Sequence, residues 1–409
     1  MPWLLRMLLN LTVLILLAYG YVGWKLNQAL AQLGLLPEPR RQQLILVVIV
    51  LLNLYPAVVL VSYIAGSNIW SIALRGGGGL VDLALTYPFW VGLLLVGQLV
   101  PFLLLTELAR LGLWLLSKNP ATVSAWLARL TLLVACAVCV YTAIRIYFDT
   151  NHIRLRERVI YTPKLAPAVP ELRIVHISDV QVDPRTGPPL VNKFVHKING
   201  LNPDVVFFSG DLVTSGTQYI EQAATLLGQI KARHGVFACL GDHDYWADPQ
   251  WITRSLRANG IDVIEDNRRL LTLGSSQIEL TGVTNIYNRR PRASWLQHLA
   301  GTKNNHLISV FLTHQPTDAL IGFARENGYD LFLAGHTHGG QVVLNYFGIR
   351  LTPVMLETSF LSGFYQVGHM LVSVSNGFGL TFAPVRFQAP AEITLLRLRP
   401  AESPSQAWQ

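Results

Sequence analysis

Side chains that can bind metal ions follow five short apolar runs in the second half of the chain. The runs are residues 172–177, 205–208, 236–240, 307–312 and 329–333. The side chains that follow them are Asp179, Asp211, Asp242, His314, His336 and His338. Two histidines separated by one residue in a tight turn suit a pair of metals better than a single structural ion. The pattern therefore predicts a metal site that uses carboxylates and imidazoles.

The elements that position these side chains are predicted to be β-strands. The runs are short and rich in β-branched residues, and polar stretches compatible with helices separate them. Strands that alternate with helices are typical of an α/β domain, in which functional groups gather at the carboxyl ends of the strands. The ordered series of Asp and His residues at five such ends therefore predicts one shared site.

The series is similar to the sequence blocks of the calcineurin-like metallophosphoesterases. Those blocks run Asp-x-His, Gly-Asp, Gly-Asn-His-Asp or Gly-Asn-His-Glu, His, and Gly-His-x-His, and the resemblance covers about residues 171–399. The sequence of residues 335–341 and the tail at 377–393 resemble the membrane-associated, YkuE-like branch of the family. The resemblance implies an α/β fold over residues 171–400, a four-layer sandwich in which two mixed β-sheets are flanked by helices.

The resemblance also implies a role for each site residue. The implied ligands of two divalent metal ions are Asp179, Gln181, Asp211, Asp242, His314, His336 and His338. Asp211 would bridge the two metals, and His243 would donate a proton to the leaving oxygen. Asp244, the second residue taken as catalytic, either orients His243 or caps the turn that follows.

Two of these positions differ from the family pattern. Gln181 stands where the first block has histidine, and Asp242 stands where the third block has asparagine. The exchange gives a harder, more oxygen-rich set of ligands, which favours Mn²⁺ or Mg²⁺ over Zn²⁺ or Fe. It indicates either a site retuned for a different metal or a site with impaired catalysis.

Two groups of residues near the motifs have open interpretations. Arg289, Arg290 and Arg292 follow the strand-like segment 278–283. They either bind the phosphate of a substrate or form a solvated basic loop. Trp246 and Trp251 either line an apolar entrance or pack against the adjoining helix.

The first 150 residues are predicted to be an all-α transmembrane domain of about four helices. The chain is 51% hydrophobic and 14% charged, and long apolar runs lie near 8–24, 44–65, 83–105 and 130–147. Each approaches the ~20 residues needed to cross a ~30 Å hydrocarbon core. Pro101 is predicted to kink the third span, beyond which Glu107 and Arg110 are spaced to pair.

Residues 151–170 are predicted to form a juxtamembrane linker, because they contain several arginines and prolines. Four spans would place the N-terminus and the C-terminal domain on the same side of a plasma or inner membrane. Six basic residues are assigned to that side and five to the other, and Arg75 and Lys118 are among them. The difference favours a cytoplasmic C-terminal domain.

Two functions from different classes are therefore predicted. The first is a membrane-tethered phosphoesterase that hydrolyses a phosphodiester, phosphomonoester or pyrophosphate bond by attack of a metal-activated water. Its substrate would be phosphorylated, and the membrane anchor suggests that this substrate is lipid-linked. The second is a membrane sensor or scaffold whose similar domain binds a ligand without turnover. The net charge of +8 includes no basic stripe with interleaved aromatic residues, so no nucleic-acid partner is expected.

Overall fold

The computed structural model describes residues 3–67, 79–116 and 120–401, which divide into two compact units. The first unit contains the chain up to Phe148 together with Phe382–Phe387. The second contains Asp149–Thr381 and the chain from Gln388 onward. Arg75 and Lys118, which contribute to the predicted membrane orientation, lie outside the described residues.

Up to Phe148, the described residues of the first unit are mostly helical. Its helices are α1 (Trp3–Gln32), α2 (Glu38–Leu52), α3 (Leu54–Ile64), α4 (Tyr87–Leu116) and α5 (Pro120–Asn151). A short helical turn, Gly79–Val81, and a π-helical turn, Asp82–Thr86, lead into α4. This arrangement agrees with the all-α domain predicted for the first 150 residues.

Three segments of the described chain are long and apolar enough to cross a membrane, and a bent pair of helices makes a fourth if it is one span. The three are Leu8–Gln32, Gly79–Leu113 and Thr122–Asn151. The bent pair is α2 and α3, which meet at 53°. The predicted span near 44–65 is thus not a straight helix. Asn53 ends α2, and Pro56, which has no backbone N–H to donate, is accommodated in the first turn of α3.

Polar side chains connect the helices of the first unit. Lys25 on α1 forms an ion pair with Glu107 on α4, whereas Arg110 lies 4.0 Å from the other oxygen of Glu107. The closer partner of Glu107 is therefore Lys25, whereas the i, i+3 spacing had predicted Arg110. The helix α4 is assigned without interruption through Pro101, and Gln98 donates a 2.8 Å hydrogen bond to Thr142 on α5. Such interhelical bonds stabilise helix packing where water is scarce.

The second unit contains two six-stranded mixed sheets. The strands of the first sheet, in spatial order, are β1 (Arg154–Thr162), β14 (Glu392–Pro400), β2 (Leu172–Ile177), β3 (Val205–Phe208), β4 (Val236–Ala238) and β5 (Ile261–Val263). Those of the second are β12 (Gly363–Val367), β13 (Met370–Val374), β9 (Leu331–Ala334), β8 (Ile308–Thr313), β7 (Ser276–Val283) and β6 (Asn267–Leu273). Strands β2 to β5 pair in parallel, as do β7, β8 and β9.

Helices cover the outer faces of the two sheets. They are α6 (Pro188–Gly200), α7 (Ile220–Leu227), α8 (Asp242–Ala247), α9 (Pro249–Ala258), α10 (Ala293–Gly301) and α11 (Asp318–Glu326). Phe208 of β3 packs in a core with α6, α7 and α9, whereas Phe207 packs in the core between the two sheets. Phe311 of β8 packs outward with α10 and α11. Because both faces of each sheet are covered, the central strands β3 and β9 are apolar throughout. The predicted four-layer α/β sandwich is confirmed.

The structure corrects the predicted linker at 151–170. Residues Arg154–Thr162 of this segment form β1, which pairs in parallel with β14 from Arg154 opposite Glu392 to Thr162 opposite Pro400. The strand lies at the edge of its sheet, where charged side chains face solvent and protect the unpaired backbone groups. Its arginines gave the segment the composition of a linker. One of them, Arg156, instead forms a 2.6 Å ion pair with the buried Glu392 of β14.

Candidate metal centre

The predicted ligands lie at the carboxyl ends of strands from both sheets. Asp179 and Gln181 follow β2, Asp211 follows β3, and Asp242 begins α8 after β4. The histidines come from the other sheet, His314 after β8 and His336 with His338 after β9. The two sheets pack face to face, so the ligand loops meet at one edge of the sandwich.

Five of the site residues have a left-handed backbone conformation, which is uncommon outside glycine. They are Asp179 (φ 49°), Gln181 (φ 46°), Asp211 (φ 63°), His336 (φ 69°) and His338 (φ 49°). Residues in such conformations cost free energy and cluster at functional sites, where the surrounding structure holds them in place. Five of the seven predicted ligands thus share a conformation that is uncommon for residues with a side chain.

Two glycines allow these turns to approach one another. A Cβ on Gly210, which has φ 93°, would lie 2.6 Å from the backbone nitrogen of Gly241. A Cβ on Gly335 would overlap the hydroxyl of Ser178 and the carboxylate of Asp179. The close approach of the ligand loops therefore requires glycine at both positions, directly before Asp211 and directly before His336.

Each of the three carboxylates has one oxygen held by a backbone N–H. His336 N donates to Asp179 Oδ2 at 3.0 Å, His243 N donates to Asp211 Oδ1 at 2.8 Å, and Tyr287 N donates to Asp242 Oδ1 at 2.8 Å. The second oxygen of each carboxylate faces the other ligands. The backbone thus fixes the orientation of all three groups before any ion binds.

The imidazoles of His314 and His336 are oriented through their other ring nitrogens. His314 Nδ1 donates to the carbonyl oxygen of Ser209 at 2.7 Å, which leaves Nε2 to act as a ligand. His336 Nε2 lies 3.1 Å from a carboxylate oxygen of Glu357, and its Nδ1 lies 3.1 Å from Asp242 Oδ2. Hydrogen bonds of this kind from a ligating imidazole fix its tautomer and raise its basicity.

The ligand atoms form two groups that share His314. Asp179, Asp211 and His314 form one group and Asp242, His314 and His336 the other, with the ligand atoms of each group within 4.8 Å of one another. His314 has a single nitrogen available and can bind one ion. Asp211 Oδ2 lies 3.3 Å from His314 Nε2, and a carboxylate can bridge two ions. Asp211 is therefore the better candidate to join the two groups.

Buried atoms without hydrogen bonds test whether the site fits divalent metals. Among the described residues these include Asp179 Oδ1, Gln181 Oε1 and His314 Nε2, all in side chains that are fully buried. Unsatisfied buried polar atoms are costly, so native proteins rarely keep them. A cation bound between them would satisfy them, and the oxygen and nitrogen donors present suit a divalent metal.

Gln181 directs its amide nitrogen toward the first group of ligands. Its Nε2 lies 3.2 Å from Asp211 Oδ2 and 3.2 Å from His338 Nε2, and His338 Nε2 in turn lies 3.4 Å from Asp179 Oδ1. Rotation of the amide by 180° would exchange the nitrogen for the oxygen without moving the chain. Gln181 can therefore either donate hydrogen bonds within this group or offer it a neutral oxygen ligand.

The electrostatics of the site favour positive charge. Burial alone would raise the pKa of the Asp211 carboxyl, but the neighbouring His314 and His243 hold this pKa well below its usual range. Burial alone would lower the pKa of His336, but hydrogen bonds to Asp242 and Glu357 raise this pKa to about 9. Protons on the histidines thus balance the buried carboxylates, and divalent ions would replace those protons.

His243 lies beside the ligands and belongs to neither group. Its Nδ1 donates a short hydrogen bond to the carbonyl oxygen of Thr214, so Nε2 is the nitrogen left for chemistry. The ring of Trp246 packs at 4.6 Å from the imidazole, and the exposed Tyr287 lies parallel to Trp246 at 6.4 Å. Trp246 is exposed beside His243, whereas Trp251 packs against the core beneath α9.

Asp244 holds the turn that carries Asp211, whereas its two predicted roles were to orient His243 and to cap the turn that follows. Its carboxylate accepts the backbone N–H groups of Gly241 at 2.8 Å, Asp211 at 2.9 Å and Leu212 at 2.8 Å. Burial and the charge of Asp211 raise the pKa of Asp244 to about 7. These bonds fix the turn that carries Asp211, so the structure supports a positioning role for Asp244 in place of a catalytic one.

The three arginines do not meet the ligands directly. Arg289 donates to Asp266 and to Tyr245 Oη, each at 2.8 Å. Arg292 is exposed and precedes the first residue of α10. The contacts of Arg289 and the exposure of Arg292 fit a solvated loop better than phosphate binding.

Arg290 reaches the ligands through an intermediate. Its Nη1 donates to Gln315 Oε1 at 2.5 Å, and Gln315 Nε2 donates to Asp242 Oδ2 at 2.7 Å. Sequence reasoning missed Gln315, although its position directly after His314 was a usable signal. It also missed Glu357, for which no sequence signal exists, because the residue lies in a loop 21 positions after His336.

Glu357→Ala is expected to weaken metal binding, because the His336 imidazole would lose the carboxylate that orients it. Loss of such a partner typically costs about 10–100-fold in metal affinity. Titration of Mn²⁺ into the metal-free full-length protein, followed by calorimetry, measures the change. Glu326→Ala is the matched control, since Glu326 is exposed and its ion-pair partner in the described part of the chain is the neighbouring Arg325. Equal affinities in the two variants would refute the role given to Glu357.

Comparison with known proteins supports the family suggested by the motifs. The family model described as calcineurin-like phosphoesterase matches residues 172–340. The chain is 31% identical to a bovine (Bos taurus) transmembrane protein with metallophosphoesterase domain, over 58% of this chain and 55% of the relative. It is 28% identical to the uncharacterized metallophosphoesterase YkuE of Bacillus subtilis, over 62% of this chain and 88% of the relative.

A third relative is an uncharacterized metallophosphoesterase of Helicobacter pylori, 30% identical over 60% of this chain and 64% of the relative. The chain thus spans little more than half the length of the bovine protein and somewhat less than two thirds of the Helicobacter one. The matched region holds the ligand blocks from Asp179 to His338, and the relatives are consistent with the membrane-associated branch. The C-terminal unit of this chain therefore contains a calcineurin-like phosphoesterase domain, which the family model matches over residues 172–340.

Proposed function

We propose that this chain is a membrane-tethered phosphoesterase that hydrolyses a phosphodiester, phosphomonoester or pyrophosphate bond with two divalent metal ions. The observation that carries the proposal is the shared orientation of the three carboxylates. Each has one oxygen held by a backbone N–H and the other directed at the histidines, while Asp179 Oδ1 and His314 Nε2 are buried without hydrogen bonds. Residues arranged in this way before binding suit catalysis that depends on precise placement of charge.

The two metals would be held by overlapping sets of residues. The first set is Asp179, Gln181, Asp211 and His338, and the second is Asp211, Asp242, His314 and His336. When bound, the metals supply positive charge for the phosphoryl oxygens and lower the pKa of the attacking water. The oxygen-rich sets favour Mn²⁺ or Mg²⁺.

In this mechanism His243 donates a proton to the leaving oxygen. Its Nδ1 is committed to the carbonyl oxygen of Thr214, so a proton can be transferred only at Nε2. Its backbone N–H also donates to Asp211 Oδ1, so His243 lies next to the proposed bridge between the metals. Asp244 keeps this turn rigid through the three backbone groups that it accepts.

The substrate that best suits the chain is an amphiphilic phosphate ester, of which a lipid-linked ester is one class. Apolar spans anchor the chain to a bilayer, and the exposed rings of Trp246 and Tyr287 stand next to His243 and His336. If α2 and α3 form one span, the chain has four spans. The larger number of basic residues on the side of the C-terminal unit then favours a cytoplasmic position for that unit.

The alternative is a sensor or scaffold that binds a ligand without turnover. Its support is the amide nitrogen of Gln181, which occupies hydrogen-bonding positions beside Asp211 and His338 where a cation would lie. The position of His243 favours hydrolysis, because ligand binding alone needs no proton donor.

The experiment that decides between the two uses the full-length chain purified in detergent. Hydrolysis of bis(p-nitrophenyl) phosphate is measured after removal of metals and after addition of Mn²⁺, Mg²⁺ or Zn²⁺. Turnover that depends on added metal, and that the Asp211→Asn variant lacks, supports the enzyme. Bound metal without turnover, on this substrate and on a panel of lipid phosphates and pyrophosphates, supports the scaffold.

Gln181→His and Asp242→Asn are expected to compensate for each other. Gln181→His should raise affinity for the first metal and shift preference toward Zn²⁺, because an imidazole replaces a weak neutral ligand. Asp242→Asn alone should weaken the second metal. The double variant should recover much of the lost binding, and a double-mutant cycle of Mn²⁺ affinities measures the coupling. Strictly additive effects would show that the two positions do not act on one shared site.

A further inference from the structure

We propose that residues 344–356, which follow the metal-binding turn, dock onto the surface of a lipid bilayer. They comprise the antiparallel strands β10 (Leu344–Tyr346) and β11 (Ile349–Leu351) and a 3₁₀ turn, Pro353–Leu356. We call this segment the apolar hairpin.

The apolar hairpin concentrates large exposed apolar side chains in a short stretch. The exposed fractions are 88% for Phe347, 62% for Ile349, 43% for Leu351, 48% for Met355 and 89% for Leu356. Elsewhere in the described part of the C-terminal unit, such residues are spread along the chain, and the most exposed of them, Leu270, reaches 58%. Single exposed apolar residues are normal, whereas a concentrated group indicates an interaction surface.

The hairpin is attached to the metal site through its second strand and its C-terminal end. Arg350 donates to the carbonyl oxygen of Gly339 at 3.2 Å, and Thr352 donates to that of Gly340 at 3.1 Å, so β11 is held against the turn that carries His338. Leu356 is followed directly by Glu357, which lies 3.1 Å from His336. The exposed surface is therefore fixed in position relative to the ligands.

A bilayer is the partner that best suits this surface. The same chain carries apolar spans, so a bilayer is always present near the C-terminal unit at high effective concentration. Between Gln341 and Glu357 the chain has no acidic residue and one basic residue, Arg350, so anionic headgroups would meet no opposing charge. Apolar tips with an aromatic and a basic residue nearby, here Tyr346 and Arg350, are typical of segments that rest in the membrane interface.

Docking of the hairpin would bring the entrance of the metal site to the level of the lipid headgroups. A phosphate ester in the headgroup layer could then reach His336 and His243. This consequence of docking rests on the proposed function. The docking itself depends only on the exposed side chains, and it can be measured without turnover.

Spin labels attached to the hairpin test the proposal. Phe347→Cys and Leu356→Cys are made separately in the full-length chain with Cys136→Ala and Cys139→Ala, whereas the buried Cys239 is left in place. Each labelled protein is reconstituted into vesicles of phosphatidylethanolamine and phosphatidylglycerol. We expect both labels to collide more often with oxygen, which concentrates in lipid, than with a water-soluble nickel chelate. A label at Leu270→Cys, an isolated exposed site on β6, is the matched control and should show the reverse.

Two outcomes would overturn the proposal. One is preferential collision of both hairpin labels with the nickel chelate, as at the control site. The other is dipolar broadening between labels on different chains, which would assign the surface to a second copy of the protein. A Phe347→Gln and Leu356→Gln variant separates docking from the proposed function. It should lose lipid contact, seen with a label at Met355→Cys, while hydrolysing the soluble bis(p-nitrophenyl) phosphate at the unchanged rate. If docking is intact but no metal-dependent hydrolysis occurs, the proposed function fails and the docking surface stands.

Discussion

Asp211→Asn is expected to abolish hydrolysis and to lower the content of both metals together. Asp211 Oδ2 lies within 3.3 Å of both Gln181 Nε2 and His314 Nε2, so it contacts a residue from each proposed set of ligands. The asparagine keeps the shape of the side chain and tolerates the left-handed backbone at this position. The loss would therefore come from the removed charge, since a neutral amide is a poor bridge between two cations. Metal content after dialysis, measured by mass spectrometry, checks the prediction.

The matched control for this variant is Asp183→Asn. Asp183 is also buried, but its carboxylate accepts hydrogen bonds from Thr214 and from the backbone of Arg185 and Thr186. It belongs to neither group of candidate ligands in the described chain. The control should keep both metals, whereas retention of both metals by Asp211→Asn would contradict the bridging role.

The positions of the ligands could be predicted because strand ends are visible in a sequence. Residues 205–208 are apolar without alternation, which is typical of a strand buried on both faces, and Asp211 follows it at once. Parallel strands place their carboxyl ends at one edge of a sheet, so the order of the blocks was enough to bring Asp179, Asp211 and Asp242 together. The four-layer fold followed from the resemblance and was confirmed.

The groups that orient the ligands could not be predicted in the same way. Glu357 contacts His336 only because the chain returns to the site after the apolar hairpin, and no local pattern encodes such a return. The carbonyl oxygen of Thr214 orients His243, yet any residue has a carbonyl oxygen. Asp244 could be interpreted in two ways until its three backbone donors were known.

Two local features, the strand β1 and the bend between α2 and α3, could not be predicted because composition and geometry conflict there. Strand β1 is rich in arginine and lies at a sheet edge, so its sequence lacks the apolar alternation of a strand with one buried face. The bend between α2 and α3 lies within a continuous apolar run, where Asn53 and Pro56 were the only local signs of a break. In both places the tertiary context, and not the local pattern, determines the structure.

His243→Ala is expected to slow hydrolysis by about 10²–10⁴-fold while leaving metal content intact, the usual effect of removing a general acid. The imidazole lies in neither group of candidate ligands, so its removal should not release the metals. The backbone N–H that holds Asp211 remains in the variant, which keeps the proposed bridge in place. Steady-state rates and metal content measured on the same preparations check both parts of the prediction.

The leaving group of the substrate tests the role of His243 more sharply than the rate alone. A p-nitrophenolate leaves readily without a proton, whereas an alkoxide needs one, so the loss of rate should be larger for an alkyl phosphodiester than for bis(p-nitrophenyl) phosphate. His306→Ala, which removes an exposed histidine, should change neither rate. An equal loss on both substrates would indicate that His243 acts by positioning Asp211, to which its backbone N–H donates. Loss of metals from His243→Ala would make His243 a ligand. Only a loss that grows with the basicity of the leaving oxygen fits a proton donor at Nε2.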